Sequence, residues 1–265
     1  MEWIEFVLVE RLPLAGEIVH AHDAWDDPGG GGAVAAVQLA KLAGGATFFT
    51  ALGDDELGHR AHTELQALGL RVEAAFRPEP QRRAVVFLDG AGERTITVIG
   101  ARLGPGAEDQ LPWDELADAD AVYFTAGDPE AARRARAART MVSTARGLET
   151  IAAARVELDA LVLSSSDEGE RYEPGQLEPP PRLVVRTAGA EGGAWERGDE
   201  RGRFAAAPLP GPVRDAYGCG DSFAAGLTFG LGDGRPLEAA LKLAARCGAA
   251  CLTGSGPYAG QLTRA

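Results

Sequence analysis

The sequence predicts one α/β domain, in which helices cover a mostly parallel sheet and a small β-sheet stands apart. Three observations lead to this prediction. From residue 121 onward, short apolar runs alternate with helical stretches, which is typical of a parallel sheet covered by helices. Residues 84–99 have the pattern of a β-hairpin instead, and a glycine-containing turn at 218–220 leads directly into an apolar helix.

The first hundred residues predict short elements that end in the hairpin. The expected strands are 6–9 and 46–52, with an extended stretch at 18–20 and a break at 26–28, and the expected helices are 33–43 and 56–68. The hairpin pairs 84–88 with 93–99 across a turn at 89–92. An antiparallel hairpin inside a strand–helix chain indicates a small sheet separate from the main one.

The remaining residues predict the regular alternation. The expected strands are 121–125, 140–143, 160–164 and 182–187, and the expected helices are 129–139, 147–154, 221–231 and 236–253. We find no internal repeat, and the Pro-rich segment 178–181 is too short to link two domains. Residues 1–265 are therefore expected to form a single domain.

Composition limits the class of partners. The 265 residues are 45% hydrophobic with a net charge of −13, which argues against nucleic acids and anionic membranes. There is no Gly-x-x-x-x-Gly-Lys phosphate loop. The three cysteines include no Cys-x-x-Cys pair, which fits a reducing, cytoplasmic setting. The N-terminus is acidic and no clean apolar stretch has the length of a membrane span, so we expect neither export nor insertion.

The turn at 218–220 carries the strongest chemical signal. Gly218, Cys219 and Gly220 leave backbone N–H groups uncovered at the positive end of a helix dipole, which suits an anion such as phosphate. Asp221 follows in the first helical turn, where a carboxylate can accept a proton from an incoming hydroxyl. The same residues also fit an ordinary helix start with an N-terminal acid.

Residues 215–223 (Asp-Ala-Tyr-Gly-Cys-Gly-Asp-Ser-Phe) resemble the C-terminal signature of ribokinase-like (PfkB-type) carbohydrate kinases, Asp-Thr-x-Gly-Ala-Gly-Asp-x-Phe. The resemblance implies a three-layer αβα ribokinase-like domain with a central, mostly parallel sheet and a small β-sheet lid from about 12–27 and 83–99. It implies ATP as phosphate donor, Asp221 as catalytic base and the amides of Gly218, Cys219 and Gly220 as the anion hole.

Weaker motifs extend the resemblance over nearly the whole chain and imply the other contacts. The implied residues are Gly30, Gly31, Gly32 and Glu5 for the sugar, Thr187, Gly189, Gly192 and Asp215 for the nucleotide, and Asp167 and Glu170 for Mg²⁺. In the family, backbone carbonyls near the signature's first Asp can also hold a monovalent cation, and the lid offers a homodimer surface. Each of these motifs also fits a plain loop, turn or solvated acidic segment.

The chain departs from the family pattern at several positions in the part of the site that is expected to bind the sugar. Val34 and Ser164 stand where the family has Asn, and Arg102 stands where many relatives have Asn. The chain also opens near the end of the family's first core strand, where Glu2 and Glu5 are the nearest carboxylates. We therefore expect an exposed edge or a cavity at the place of that strand.

Together these observations predict an ATP-dependent kinase that phosphorylates an alcohol group of a sugar or nucleoside-like small molecule. One alternative is a catalytically degenerate relative that binds a sugar or a nucleotide, which the departures favour. A second is a nicotinamide-dependent oxidoreductase, because Gly30-x-Gly32-x-x-Ala35 fits the dinucleotide fingerprint, although no apolar strand runs into its first glycine. A third is a reactive thiol at Cys219, at the start of a helix.

Overall fold

A computed structural model describes residues 1–90 and 94–264, which form three sheets and seven α-helices. The strands are β1 (Glu2–Leu8), β2 (Asp23–Gly29), β3 (Ala46–Gly53), β4 (Leu70–Arg77), β5 (Arg83–Leu88), β6 (Arg94–Ile99), β7 (Ala121–Phe124), β8 (Thr140–Thr144), β9 (Ala160–Ser164), β10 (Val184–Thr187), β11 (Gly193–Arg197) and β12 (Glu200–Phe204). The helices are α1 (Gly31–Ala43), α2 (Glu56–Ala67), α3 (Pro129–Ala135), α4 (Leu148–Ala154), α5 (Cys219–Gly232), α6 (Leu237–Cys251) and α7 (Gly256–Ala259).

The main sheet has six strands in the order β12-β11-β10-β9-β8-β7, of which β7 to β10 are parallel. Because successive side chains of a strand point to opposite faces, Val142 and Val162 pack against α5 and α6, whereas Met141 and Leu161 pack against the opposite layer of α3 and α4. The predicted three-layer αβα arrangement is therefore confirmed.

A second sheet has four strands in the order β2-β1-β5-β6. Its β5–β6 pair confirms the predicted hairpin, with Arg83 opposite Ile99; part of the predicted turn, residues 91–92, and Glu93 lie outside the described residues. The buried side chains of Ile4, Phe6 and Val86 join this sheet to α1. The separate sheet expected from the hairpin is present.

The start of the chain differs from the prediction. The predicted break at Asp26-Asp27-Pro28 is wrong, because these residues lie within β2 and pair with β1. Pro28 is tolerated there because β2 is an edge strand. On the side of β2 that has no neighbouring strand, the missing N–H of a proline costs no hydrogen bond of the sheet. The stretch 18–20, predicted to be extended, forms no strand.

The third sheet contains only β3 and β4, which are parallel. A cavity of about 560 Å³ separates β3 from β7, the outermost strand of the main sheet, and is lined by residues 46–49 and 121–126 among others. The exposed edge or cavity expected at the place of the family's first strand stays a prediction.

Besides β2, three further strands were not predicted, namely β4, β11 and β12. The hairpin β11–β12 (residues 193–204) is rich in Arg, Glu and Gly and lacks a clear apolar alternation, since it forms the open edge of the main sheet. Within the described ranges, none of the helices combines the length and the apolar character needed to cross a membrane.

Candidate active site

Two helix N-termini meet at Asp221. This residue lies in the first turn of α5, and a Cβ atom added to Gly31, the first residue of α1, would lie 2.5 Å from Asp221 Oδ1. Any larger residue at position 31 would therefore displace the carboxylate. The preceding Gly30 has a φ of 82°, a conformation that favours glycine, and donates its N–H to Tyr217 Oη at 2.9 Å.

The turn before α5 leaves an open anion site. Gly218 is left-handed, with a φ of 78°, and its carbonyl accepts the first helical bond from Ser222 N–H at 2.8 Å. Among the described residues, the N–H groups of Cys219 and Gly220 have no hydrogen-bond acceptor. A Cβ atom on Gly220 would meet nothing within 4 Å, so the space in front of these amides can admit an anion.

Asp221 has the protonation behaviour of a base that works near neutral pH. Its pKa is raised to about 6, first by burial and then by the charge of Glu170, while Arg94 and Arg146 act in the opposite direction. The carboxylate is therefore mostly ionised at pH 7, yet it is more basic than an exposed Asp.

The carboxyl ends of β7 to β10 form the floor beside these helix ends. Thr125 follows β7, Arg146 lies just after β8, and the acidic loop 164–170 continues from β9. A Cβ atom on Gly32 would lie 3.1 Å from Thr125 Oγ1, which places this edge directly against the start of α1. Ligands of open α/β sheets bind at this edge.

The structure brings Asp167 and Glu170 together, but both of them pair with an arginine. Arg146 forms ion pairs with both, at 2.9 Å from Nε to Glu170 Oε1. The other carboxylate oxygens accept backbone N–H groups, Glu170 Oε2 from Ser164 at 2.8 Å and Asp167 Oδ1 from Gly169 at 2.8 Å. These carboxylates thus offer no prepared Mg²⁺ site, and the described residues contain no cluster of three acidic, His or Cys ligands. Mg²⁺ binding stays a prediction.

The predicted nucleotide turn lies farther along the same edge. Thr187 ends β10 next to Ser164 of β9, and its hydroxyl donates to Leu163 O at 3.4 Å. Gly192 is tightly enclosed, since a Cβ atom there would lie 2.1 Å from Phe204 O, whereas Gly189 faces open space. The structure shows no contact between this turn and Asp221, so the two predicted parts lie on one edge without touching.

Asp215 anchors the signature loop. Its buried carboxylate accepts the N–H of Tyr217 at 2.8 Å and that of Gly256 at 3.1 Å, and burial raises its pKa. Both oxygens are therefore engaged within the protein. A cation held near Asp215 would have to use backbone carbonyls.

Of the two early carboxylates, Glu2 lies near the base, and the assignment of Glu5 to the sugar stays a prediction. Glu5 lies on β1 and pairs with Arg83 at 3.0 Å. Glu2 lies against Gly30, with its Cγ 3.5 Å from a Cβ atom added there, and its charge helps to raise the pKa of Asp221. The positions of Glu2 and Glu5 in the sequence did not reveal which of them lies near Asp221, because this depends on how β1 pairs within the second sheet.

The arginines around the base were not predicted from the motifs. Arg146 could have been found by asking which polar residues follow each parallel strand, since it comes two residues after β8. Arg94 reaches in from the second sheet and donates to Ala216 O, which no local signal indicates. The thiol alternative is disfavoured, because a hydrogen bond with Cys251 and burial raise the pKa of Cys219.

Comparisons with known proteins show what the chain as a whole is similar to. A model described as pfkB family carbohydrate kinase matches residues 2–146 and 135–264. An ATP-dependent ribose-1-phosphate kinase of Halopiger xanaduensis is 29% identical over 94% of this chain and 88% of its own length. The structure of Arabidopsis thaliana ribokinase with ribose and ATP superposes with a TM-score of 0.77 at 21% identity, covering 99% of this chain and 93% of that one. Adenosine kinase from Sinorhizobium meliloti gives a TM-score of 0.73 at 26% identity, over 89% and 81% of the two chains.

Proposed function

We propose a function from the premise that these matches establish: the chain belongs to the pfkB family of carbohydrate kinases. It is an enzyme that transfers phosphate from ATP to an alcohol group of a sugar-like molecule. Within that activity, we assign Asp221 as the base and the amides of Gly218, Cys219 and Gly220 as the anion hole. The observation that carries the assignment is the open N-terminus of α5 beside a carboxylate whose pKa is about 6.

The proposed reaction uses these groups in one step. The acceptor hydroxyl lies between Asp221 and the γ-phosphate of ATP, and its proton passes to the Asp221 carboxylate as its oxygen attacks phosphorus in line. The bond between the γ-phosphorus and the bridging oxygen breaks, and ADP leaves with the electron pair. The open amides stabilise negative charge on the transferring group, which together with positioning supplies most of the rate in phosphoryl transfer.

The acceptor site is proposed at the start of α1. Gly30, Gly31 and Gly32 bring the backbone against the base, and Glu2 replaces Glu5 as the carboxylate beside them. The relatives are named for ribose 1-phosphate, ribose and adenosine, so the acceptor is placed among sugars and nucleoside-like molecules. The turn with Thr187, Gly189 and Gly192 is proposed to line the nucleotide.

The second sheet is proposed to act as a lid on a single domain of residues 1–265. Arg94 of β6 already contacts the signature loop at Ala216, so this sheet reaches the site. Closure would exclude water and limit wasteful ATP hydrolysis. The exposed apolar residues Ile96 and Val98 on β6, an edge strand, support a homodimer through the lid.

A catalytically degenerate relative is the second candidate. The pairing of Arg146 with both acidic residues of the predicted metal loop favours it, as does Val34, whose Cγ1 would lie 2.8 Å from a Cβ atom on Gly218. Such a protein would bind a sugar or a nucleotide without consuming ATP.

ATP consumption separates the two candidates and tests the base. The purified chain is assayed with a panel of sugars, sugar phosphates and nucleosides, together with the variant Asp221→Asn. We expect turnover with at least one acceptor, and a loss of about 10² or more in kcat for the variant, because the proton acceptor is removed. ATP binding by calorimetry is the control and should be unchanged. Near-normal turnover in the variant would refute the base assignment.

A further inference from the structure

A small polar cavity lies beside the base. Its volume is about 270 Å³, and its walls come from the loop after β6, the loop after β7 and the segment after β8. The lining residues are Arg102, Gly104, Thr125, Ala126, Gly127, Asp128, Arg146 and Thr150. Two arginines therefore face one cavity, and neither has a role in the reaction described above.

The cavity is close enough to Asp221 to hold the far end of the same acceptor. Gly31 approaches the Asp221 carboxylate, and the next residue, Gly32, approaches the hydroxyl of Thr125 in the cavity wall. Arg146, which also lines the cavity, acts electrostatically on Asp221, so the cavity and the base are neighbours. Thr125 also joins the cavity to Arg102, since Arg102 Nη2 donates to Thr125 O at 2.8 Å.

Arg102 differs from its basic neighbours because its charge is not neutralised. Arg82 pairs with Glu2 at 2.9 Å, and Arg146 pairs with Asp167 and Glu170. Arg102 has no carboxylate partner in the part of the chain that the structure describes. Partial burial, followed by the charge of Arg82, lowers its pKa, whereas the charge of Glu2 acts in the opposite direction. The residue is also exposed, so an anion can reach its guanidinium.

The cavity also lacks a free negative group that would compete for Arg102. Asp128 is the carboxylate in its wall, and both of its oxygens already accept backbone N–H groups, from Ala131 at 2.7 Å and Ala107 at 3.0 Å. Apart from the guanidinium of Arg146, which is paired with Asp167 and Glu170, the remaining polar groups of the wall are hydroxyls and backbone groups. A phosphate or a carboxylate bound here would meet the forked guanidinium of Arg102, which is suited to bidentate pairing.

We propose that Arg102 binds an anionic substituent of the phosphate acceptor, so that the enzyme acts on a sugar that already carries a phosphate or a carboxylate. This inference rests on the proposed kinase activity and narrows its acceptor class. Arg102 is a specificity residue and takes no part in proton transfer. The position at which the chain departs from the relatives' Asn thereby acquires a function.

The test compares charged and neutral acceptors in the full-length chain. Turnover is measured with ribose 1-phosphate, ribonate and ribose, for the wild type, Arg102→Leu and Arg102→Lys. We expect an anionic acceptor to be preferred over ribose. In Arg102→Leu, kcat/KM for that acceptor should fall about 10- to 100-fold, as expected for a lost charged hydrogen bond, while the value for ribose stays the same. For Arg102→Lys, this kcat/KM should lie between the values of the wild type and Arg102→Leu, because lysine keeps the charge but cannot form the bidentate pair of a guanidinium.

Controls separate this inference from its premise. Arg155→Leu removes an exposed arginine paired with Glu178 and should change none of these values. Equal use of charged and neutral acceptors, or a rise in the KM for ATP alone in Arg102→Leu, would overturn the inference while the kinase activity stands. If no acceptor is phosphorylated, calorimetry with ribose 1-phosphate decides: binding that is lost in Arg102→Leu supports the anion site although the kinase proposal fails, and no binding overturns both.

Discussion

At the scale of single residues, the site depends on the charged side chains that surround the Asp221 carboxylate. Asp221 is surrounded by Glu2 and Glu170, which raise its pKa, and by Arg94 and Arg146, which lower it. Burial is the largest influence, and the net result is a pKa of about 6. The pKa of the base is therefore adjusted by residues of β1 and β6, both in the second sheet, and of the segments after β8 and β9.

The pKa of Asp221 predicts how activity depends on pH. The ionised form accepts the proton, and a pKa raised from 3.8 to about 6 means that protonation removes the base below about pH 6. We expect kcat/KM to be level above that pH and to fall tenfold per unit below it. A rate profile from pH 5 to 8 measures this, with Asp221→Asn as the control that should lose the inflection. A level profile down to pH 5 would contradict the assignment.

Gly31 provides a second test at this scale. In Gly31→Ala the new methyl group would meet Asp221 Oδ1 at 2.5 Å, so the carboxylate must move. A shift of this kind can cost about 10²-fold in rate, and we expect kcat to fall 10- to 100-fold in a protein that remains folded by circular dichroism. Gly45→Ala is the matched control, since its Cβ atom would meet nothing within 4 Å. A kcat within twofold of the wild type for Gly31→Ala would show that the approach is not needed.

At the scale of elements, the pairing of β1 determines how the N-terminal region folds. It pairs with β2 on one side and β5 on the other, and so builds a four-stranded lid sheet from segments far apart in sequence. This arrangement carries Glu2 to the base and Arg94 to the signature loop. The outer strand β6 leaves Ile96, Val98 and Ile99 between 40% and 45% exposed, on an edge that another strand or sheet can cover.

The exposed edge predicts an oligomeric state. We expect a dimer by light scattering coupled to size-exclusion chromatography, and we expect Ile96→Lys to yield monomers, because a charge on an edge strand opposes association. Leu209→Lys makes the same change at a residue of similar exposure, 47%, outside the lid, and should leave the dimer intact. A monomeric wild type would refute the homodimer.

At the scale of the whole molecule, the parallel layer is divided. β3 and β4 form one sheet, and β7 is the outer strand of another, with the cavity of about 560 Å³ between them. Two strand edges thus face the same space. The helices α1 and α5 lie across the gap between the two sheets, and they pack against each other at the site.

Hydrogen exchange tests this division. Every second amide of β3 and β7 faces the cavity, because each strand pairs on one side alone. We expect these amides to exchange faster than the amides of β8 and β9, which pair on both sides. Equal protection in all four strands would mean that the facing edges are covered.

The sequence by itself determined the features that depend on neighbouring residues. The turn at 218–220, the helix it starts and the alternation from residue 121 were predictable, because glycine conformations, helix dipoles and apolar periodicity are local properties. Resemblance to a family added the layered fold, which the structure and the matched relatives confirm. The assignment of β2 as a break failed because an edge position tolerates Pro28, and edges are defined only by the assembled sheet.

Only the tertiary structure decided which distant charges meet. That Glu2 and not Glu5 lies by the base, that Arg146 holds Asp167 and Glu170, and that Arg102 faces a cavity whose carboxylate, Asp128, is already hydrogen-bonded all depend on which strand ends become neighbours. Electrostatic interactions fall off over a few ångströms and do not follow order along the chain. A sequence can therefore identify the reacting carboxylate, while the selection of its substrate is fixed only when the loops after β6, β7 and β8 come together.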